Sequence, residues 1–361
     1  MKNLLTILIF ILSTTLLAAE EASEQSLRSK IGPTVRSPLF IENHFYFLSA
    51  GGVLIKANYK FENEKILFQT KLPTASPIYQ YGDLIIFGEG LHNHNESSLY
   101  IYNLKKEKLV KKIEVSGHVQ RAPLVYKDLI LVGTGPDGLH AYDRKTYELK
   151  WKINKHESKS LHVDSNPIAY KDKICFTSVY ESKLILCSNL EGKVIKSFEA
   201  KENPKGELSL VKNKLLTLET EADMMKLKFD IPSLVKIINL DNLKIEKEIK
   251  LRGFNFFRPL DLNNDEVMYN LSTGDMITIN ITNGKIGYIG EFPEPFVSTP
   301  FILNSSVCSL GLMGKLICKE KAQDQYVVTK EKRFFESIVG EVTNINGRIY
   351  AASRMGYFIF N

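Results

Sequence analysis

Six stretches of the chain open in the same way, and their spacing limits the fold more than any other feature. They are SPLFIENHFYF from Ser37, SPIYQYGDLIIF from Ser76, APLVYKDLILV from Ala122, NPIAYKDKICF from Asn166, RPLDLNNDEVMY from Arg258 and TPFILNSSVCS from Thr299. Each has a proline, a short apolar run, a polar turn of the KD, GD or NN type, and a second apolar run. Two looser copies, ELSLVKNKLLTL from Glu207 and GEVTNINGRIYAA from Gly340, fill the gaps. Eight starts therefore recur about every 40–50 residues, a period that marks repeat architectures. Proline cannot donate to a sheet ladder, so it suits the first residue of a strand. The polar pairs are hairpin formers. A third and a fourth strand follow in each unit, as in GLHAYD then ELKWKI, or SKLILCSN then KVIKSFEA.

Four short antiparallel strands per repeat is the make-up of a β-propeller blade. Runs such as DLIIFG and DLILVG hardly alternate, as expected of strands covered on both faces by neighbouring blades. The expected fold is all-β: a β-propeller of four-stranded antiparallel blades, eight of them, with seven as the fallback. The eighth copy runs out at Asn361 after three strands. Its fourth is expected from the N-terminal segment between Ser26 and Arg36, which would close the ring.

The chain begins MKNLLTILIFILSTTLLAAEEASEQS, with Lys2 ahead of an apolar run from Leu4 to Leu17 and small residues at Ala18 and Ala19. This is the layout of a cleaved secretory signal peptide. The run is short of the roughly 20 residues that span a bilayer. No cysteine follows it for lipid attachment. The expected organisation is a signal peptide over 1–19, an N-terminal extension with the closing strand over 20–36, and the propeller over 37–361. A periplasmic or secreted protein follows, with no transmembrane span in the mature chain. The formal charge of +6 falls to +5 once Lys2 is removed, and it is spread through KK and KE pairs. Nucleic acid would call for a clustered basic face, so it is set aside as a partner.

The unit GLHAYDRKTYELKW, Gly138 to Trp151, resembles the repeat of the pyrroloquinoline-quinone-type (PQQ-like) propellers. Gly138, Leu139, Ala141, Asp143, Thr146 and Trp151 match, while Tyr147 stands where the turn glycine is usual. Weaker echoes are GVLIKAN at Gly52, GDMITINITNGK at Gly274 and GKLICKE at Gly314. The superfamily holds quinoprotein dehydrogenases and also cofactor-free propellers. Among the latter the BamB-like group, scaffold subunits of the outer-membrane β-barrel assembly machinery, is similar in length and blade count. The resemblance implies a fold, and function has to come from a site.

A quinone-dependent dehydrogenase would need calcium ligands and a carboxylate base. The related enzymes usually carry adjacent cysteines near the quinone, and this chain has no CC pair. Asp261 and Asp265 in DLNNDE have incomplete calcium-loop spacing and read as turn residues. His92 and His94 in EGLHNHNESS could share a metal, but zinc takes three or four ligands, and no motif joins His118, His140, His156 or His162 to them. No catalytic residue, cofactor or metal is therefore expected. Sequons stand at Asn95, Asn270, Asn280 and Asn304.

Three successive connections between blades are aromatic: RGFNFFRP, GEFPEPFVSTP and KRFFESIVG. In a propeller these share one face of the disc. Phe254, Phe256, Phe257, Phe292, Phe296, Phe334 and Phe335, flanked by Arg252, Arg258 and Arg333, compose the candidate partner-binding arc. Aromatic and arginine side chains make up protein-binding hot spots. The expected function is a non-enzymatic protein-binding scaffold, a monomer within a complex of envelope or secreted proteins. The alternative is a small-ligand or quinone-dependent enzyme or sensor that uses the central funnel.

The four cysteines form two similar stretches, CFTSVYESKLILC from Cys175 to Cys187 and CSLGLMGKLIC from Cys308 to Cys318. In each pair the first cysteine lies eight residues after a blade-opening proline. The two spacings, 12 and 10, share the parity that cross-strand opposition requires. Two disulfides are expected, Cys175–Cys187 and Cys308–Cys318, each stapling the middle hairpin of a blade.

Overall fold

A computed structural model describes residues 33–34, 36–58, 63–223, 228–296, 298–323, 325–334, 338–345, 347–353 and 356–360. The prolines punctuate the chain as expected. Seven four-stranded antiparallel sheets follow one another at 39–69, 79–116, 124–153, 168–199, 209–251, 260–291 and 301–333, each with its strands in chain order. A three-stranded sheet at 338–360 comes last, and a small hairpin, Lys155–His156 with Lys159–Ser160, hangs between the third and fourth sheets. The fold is a β-propeller. No described helix is long and apolar enough to cross a membrane.

Each sheet buries its faces against its two neighbours, because a lone four-stranded sheet leaves both faces wet. Tyr46, Leu54, Phe87 and Tyr100 form the cluster between the first and second sheets. Val267, Tyr269 and Ile279 pack against Val235 and Ile237 between the fifth and sixth. The last cluster joins Phe45, Phe47 and Ala57 of the first sheet to Tyr350 and Ala352 of the eighth, with the Phe45 and Tyr350 rings 4.8 Å apart. That contact closes the ring.

The first turn of a repeat demands unusual backbone. Lys127 and Lys171 sit at φ 53° and 55° in equivalent two-residue turns, which positive-φ residues favour because their twist matches that of the strands. Cys175 faces Cys187 and Cys308 faces Cys318 in direct cross-strand register, and both pairs are bonded, with Cα atoms 4.1 Å apart in each. Loops this short stabilise by about 3 kcal/mol each in the chain-entropy account.

The only tryptophan works between blades. Trp151, on the fourth strand of the third sheet, donates its indole N–H to Leu190 O at 2.9 Å. Its ring lies flat against the next blade's turn at Gly192 (φ 81°), where a Cβ would stand 2.7 Å from the indole. Asp143 shapes the turn leading to Trp151, accepting from the backbone N–H groups of Lys145 (2.8 Å) and Thr146 (3.0 Å). Tyr147 takes φ 62° at the position where the repeat carries glycine.

Candidate functional site

The aromatic connections do not make an exposed arc. Phe254, Phe257, Phe292, Phe296 and Phe334 are all buried, at 7 % exposure or less, and Phe256 is half-buried. Phe335 lies outside the described residues. The physical reason is the gap between neighbouring sheets. Phe254 packs with Ala222, Leu251 and Tyr269, and Phe256 leans on the same cluster. Phe292 and Phe296 stack at 5.1 Å among Met268, Met276 and Ile317. Phe334 joins Leu310 and Ile338. Removing such rings from water is worth about 1.5–3 kcal/mol apiece, and the interblade clefts were there to take them. Among the residues these connections leave in solvent are Arg252, Arg258 and Arg333.

The acidic pair of the sixth sheet is structural. Asp261 Oδ1 accepts from Asn263 N at 2.8 Å, an Asx turn, and Asp265 pairs with Lys212. Asn270 is fully buried and accepts from Ser309 Oγ at 2.6 Å, which removes it as a glycan acceptor in the folded chain.

Near the axis, residues at or just ahead of the first strands build a buried ion network. Arg36 Nη1 lies 2.6 Å from Glu207 and 3.1 Å from Glu341, and Arg121 Nη1 is 3.3 Å from Glu207. Arg121 also donates Nε–H to Asp164 O at 3.3 Å. Beside it a cavity of about 940 Å³ opens, with Asn166, Arg258, Glu341 and Asn344 among its walls. Burial pushes the Glu207 carboxyl up, but Arg36 and Arg121 outweigh it and hold it below the usual carboxylate range. Asp164 is likewise held low against its burial, chiefly by Arg121.

The histidines arrange themselves differently from the sequence expectation. His94 turns away from His92, and its Nδ1 accepts from Leu91 N at 3.0 Å to close its own loop. His92 instead meets His118 and His162, with ring centroids 5.0 Å and 6.4 Å away, while His118 and His162 are 5.5 Å apart. One nitrogen from each ring falls within 4.8 Å of the other two.

Three blades contribute. His92 comes from the loop after the second strand of the second sheet. His118 and His162 come from the connections that enter the third and fourth sheets. All of these lie on one face of an antiparallel propeller. The backbone pins both connections: His118 N donates to Thr134 O at 3.2 Å, and His162 O accepts from Val179 N at 3.0 Å. Gly135, at φ 64°, lets the imidazole in, since a Cβ there would stand 2.4 Å from His118 Cε1.

Among the described residues no side chain partners either ring nitrogen of the buried His118, whose ring lies against the His94 backbone, and His162 Nε2 is buried without a partner. Burial drives His118 down to about 4 against the pull of Asp164, with His92 and His162 adding to the depression. The Asp164 carboxylate stands 3.5 Å from His92 Nε2.

Sequence reasoning missed this convergence. The available signal was repetition: HVQRAP and HVDSNP place His118 and His162 each five residues before a blade-opening proline. In a propeller, equivalent positions of successive repeats are spatial neighbours.

No protein-family model matches the sequence, and neither does any curated protein. Solved structures do. The crystal structure of BamB from Moraxella catarrhalis superposes with a TM-score of 0.70 over 93% of this chain and 98% of that one, at 13% identity. The computationally designed Ika8 protein superposes with a TM-score of 0.71 over the same shares, at 10% identity. At such identities the likeness is one of fold: this chain shares its overall fold with both.

Proposed function

We propose that the chain is an exported, non-enzymatic propeller that binds other proteins, acting as a BamB-like scaffold in outer-membrane protein assembly. The observation that carries the reading is the superposition on BamB along nearly the whole of both chains. The two disulfides fit an oxidising compartment outside the cytoplasm. The repeat around Trp151, with its indole seated on the next blade's glycine, supports membership of the PQQ-like propeller group. With the phenylalanines buried, the partner surface in this reading comes down to the solvated rims of the connections, with Arg252, Arg258 and Arg333. Arginine is favoured at such surfaces for its planar, multiply donating head group.

The test is affinity capture of the tagged mature protein from cross-linked native envelopes. Assembly-machinery subunits should be recovered with the wild type and several-fold less with Arg252→Glu/Arg333→Glu. Recovery of none of them, or equal recovery with both proteins, overturns the reading. A second reading rests on the axial cavity, whose volume of about 940 Å³ falls in the range of small-molecule sites. A sensor would show saturable binding of an envelope metabolite that Asn166→Leu abolishes.

A further inference from the structure

We propose that His92, His118 and His162 form a binding site for a single late first-row divalent transition metal, zinc above all, on the face of the disc that carries the interblade connections. Imidazole nitrogens suit zinc, copper and nickel, and they do not suit calcium or magnesium, which take oxygen. Three histidines with a fourth position left open is a recognised zinc arrangement.

Four independent observations converge on this assignment. The three nitrogens already stand within 4.8 Å of one another. A tetrahedral ion at zinc–nitrogen distances wants them about 3.4 Å apart, a closure that calls for rotation of the two less buried side chains, His92 and His162. Among the described residues no side chain partners either ring nitrogen of the buried His118, and His162 Nε2 is buried without a partner as well, an arrangement that is costly unless something else satisfies the rings. Gly135 makes the space that brings that ring to the cluster. Finally, Asp164, 3.5 Å from His92 Nε2, brings a buried negative charge beside the site and can orient its histidine, as carboxylates beside zinc-bound imidazoles do.

The fourth position faces solvent on the His92 side, where that side chain is 54% exposed. The site ties together connections from three successive blades, so the metal would hold one arc of the face rigid. This inference does not depend on the scaffold reading.

The experiment uses the full mature chain without an affinity tag, stripped of metal and titrated with Zn²⁺ and with Co²⁺. Binding is followed by calorimetry, cobalt absorption and the thermal midpoint. One equivalent should bind, with the intense visible bands of four-coordinate cobalt and a rise in the midpoint. His92→Ala and His162→Ala are the informative variants, because these side chains are less buried than His118 and their loss leaves the fold intact. Each should weaken binding by at least roughly tenfold to a hundredfold, while His156→Ala, on the separate hairpin between the third and fourth sheets, should bind as the wild type does. Wild-type binding no tighter than that of His92→Ala/His162→Ala would overturn the proposal and leave the cluster as packed imidazoles only. Loss of binding in His156→Ala equal to that in His92→Ala would overturn it too.

Discussion

The Arg36 guanidinium and the Glu207 carboxylate, 171 residues apart in the chain, meet at 2.6 Å in the middle of the ring. Arg36 also holds Glu341 of the eighth sheet, so it ties the start of the ring to its middle and its end. Removing one member of a buried ion pair leaves an uncompensated charge, which costs about 3–5 kcal/mol. Arg36→Met should therefore lower the unfolding free energy by about that amount in urea melts. Arg36→Met/Glu207→Leu/Glu341→Leu should restore much of it.

The same pair sets an acid limb. Glu207 is depressed below its ordinary value of 4.5, burial notwithstanding, by Arg36 and Arg121. Its folded-state affinity for protons is lower than in the unfolded chain, so its contribution to stability is present above that value. It is lost as pH falls from there through the folded pKa. Stability measured between pH 6 and about pH 3 should decline, and Glu207→Gln, less stable at pH 6, should show a shallower decline.

The buried phenylalanines give a third expectation. Phe334→Ala and Phe254→Ala should each destabilise by about 3–5 kcal/mol, the range for large core aromatics. Arg252→Ala and Arg333→Ala, on the solvated side of the same connections, should stay within about 0.5 kcal/mol of wild type. If chemical denaturation found the phenylalanine variants as stable as the arginine ones, the interblade placement would be wrong.

The ring junction supplies a fourth. Pro73 O accepts from Gly90 N at 2.9 Å, and Thr74 N donates to Ala50 O at 2.9 Å, at the passage from the first sheet to the second. Pro33 O accepts from Ala50 N at 2.7 Å, and Thr34 N donates to Ser353 O at 3.2 Å, the same pattern one step earlier round the ring. Pro33–Thr34 thus sits where a chain leaving a fourth strand of the last sheet would sit. The expected closing strand itself lies outside the described residues. We propose that residues before Pro33 pair with Gly356–Phe360, and deleting 20–32 should speed amide exchange along that strand. Unchanged exchange there would show that the strand is not covered from the N-terminus.

Much of the architecture was legible because its signals are local and repeated. Prolines at strand starts, KD turns and apolar runs recur, and the cysteines' offset from those prolines, with the parity of their spacings, opposed Cys175 to Cys187. Which way a connection's side chains face is not local. Phe296 and Arg258 both follow outer strands, and only the cleft between two sheets decides that the ring is buried and the guanidinium is not. The histidine site failed for a related reason. His92 and His94 are neighbours in sequence that point apart, whereas His118 and His162 are distant residues made adjacent by the repeat.

The Phe45–Tyr350 contact has a consequence for biogenesis. A chain made from its N-terminus emerges as an open stack of sheets. Until Tyr350 has followed, the face bearing Phe45, Phe47 and Ala57 has no neighbour to cover it. For nearly all of its synthesis the polypeptide carries a sticky apolar flank, which makes it a natural client for chaperones.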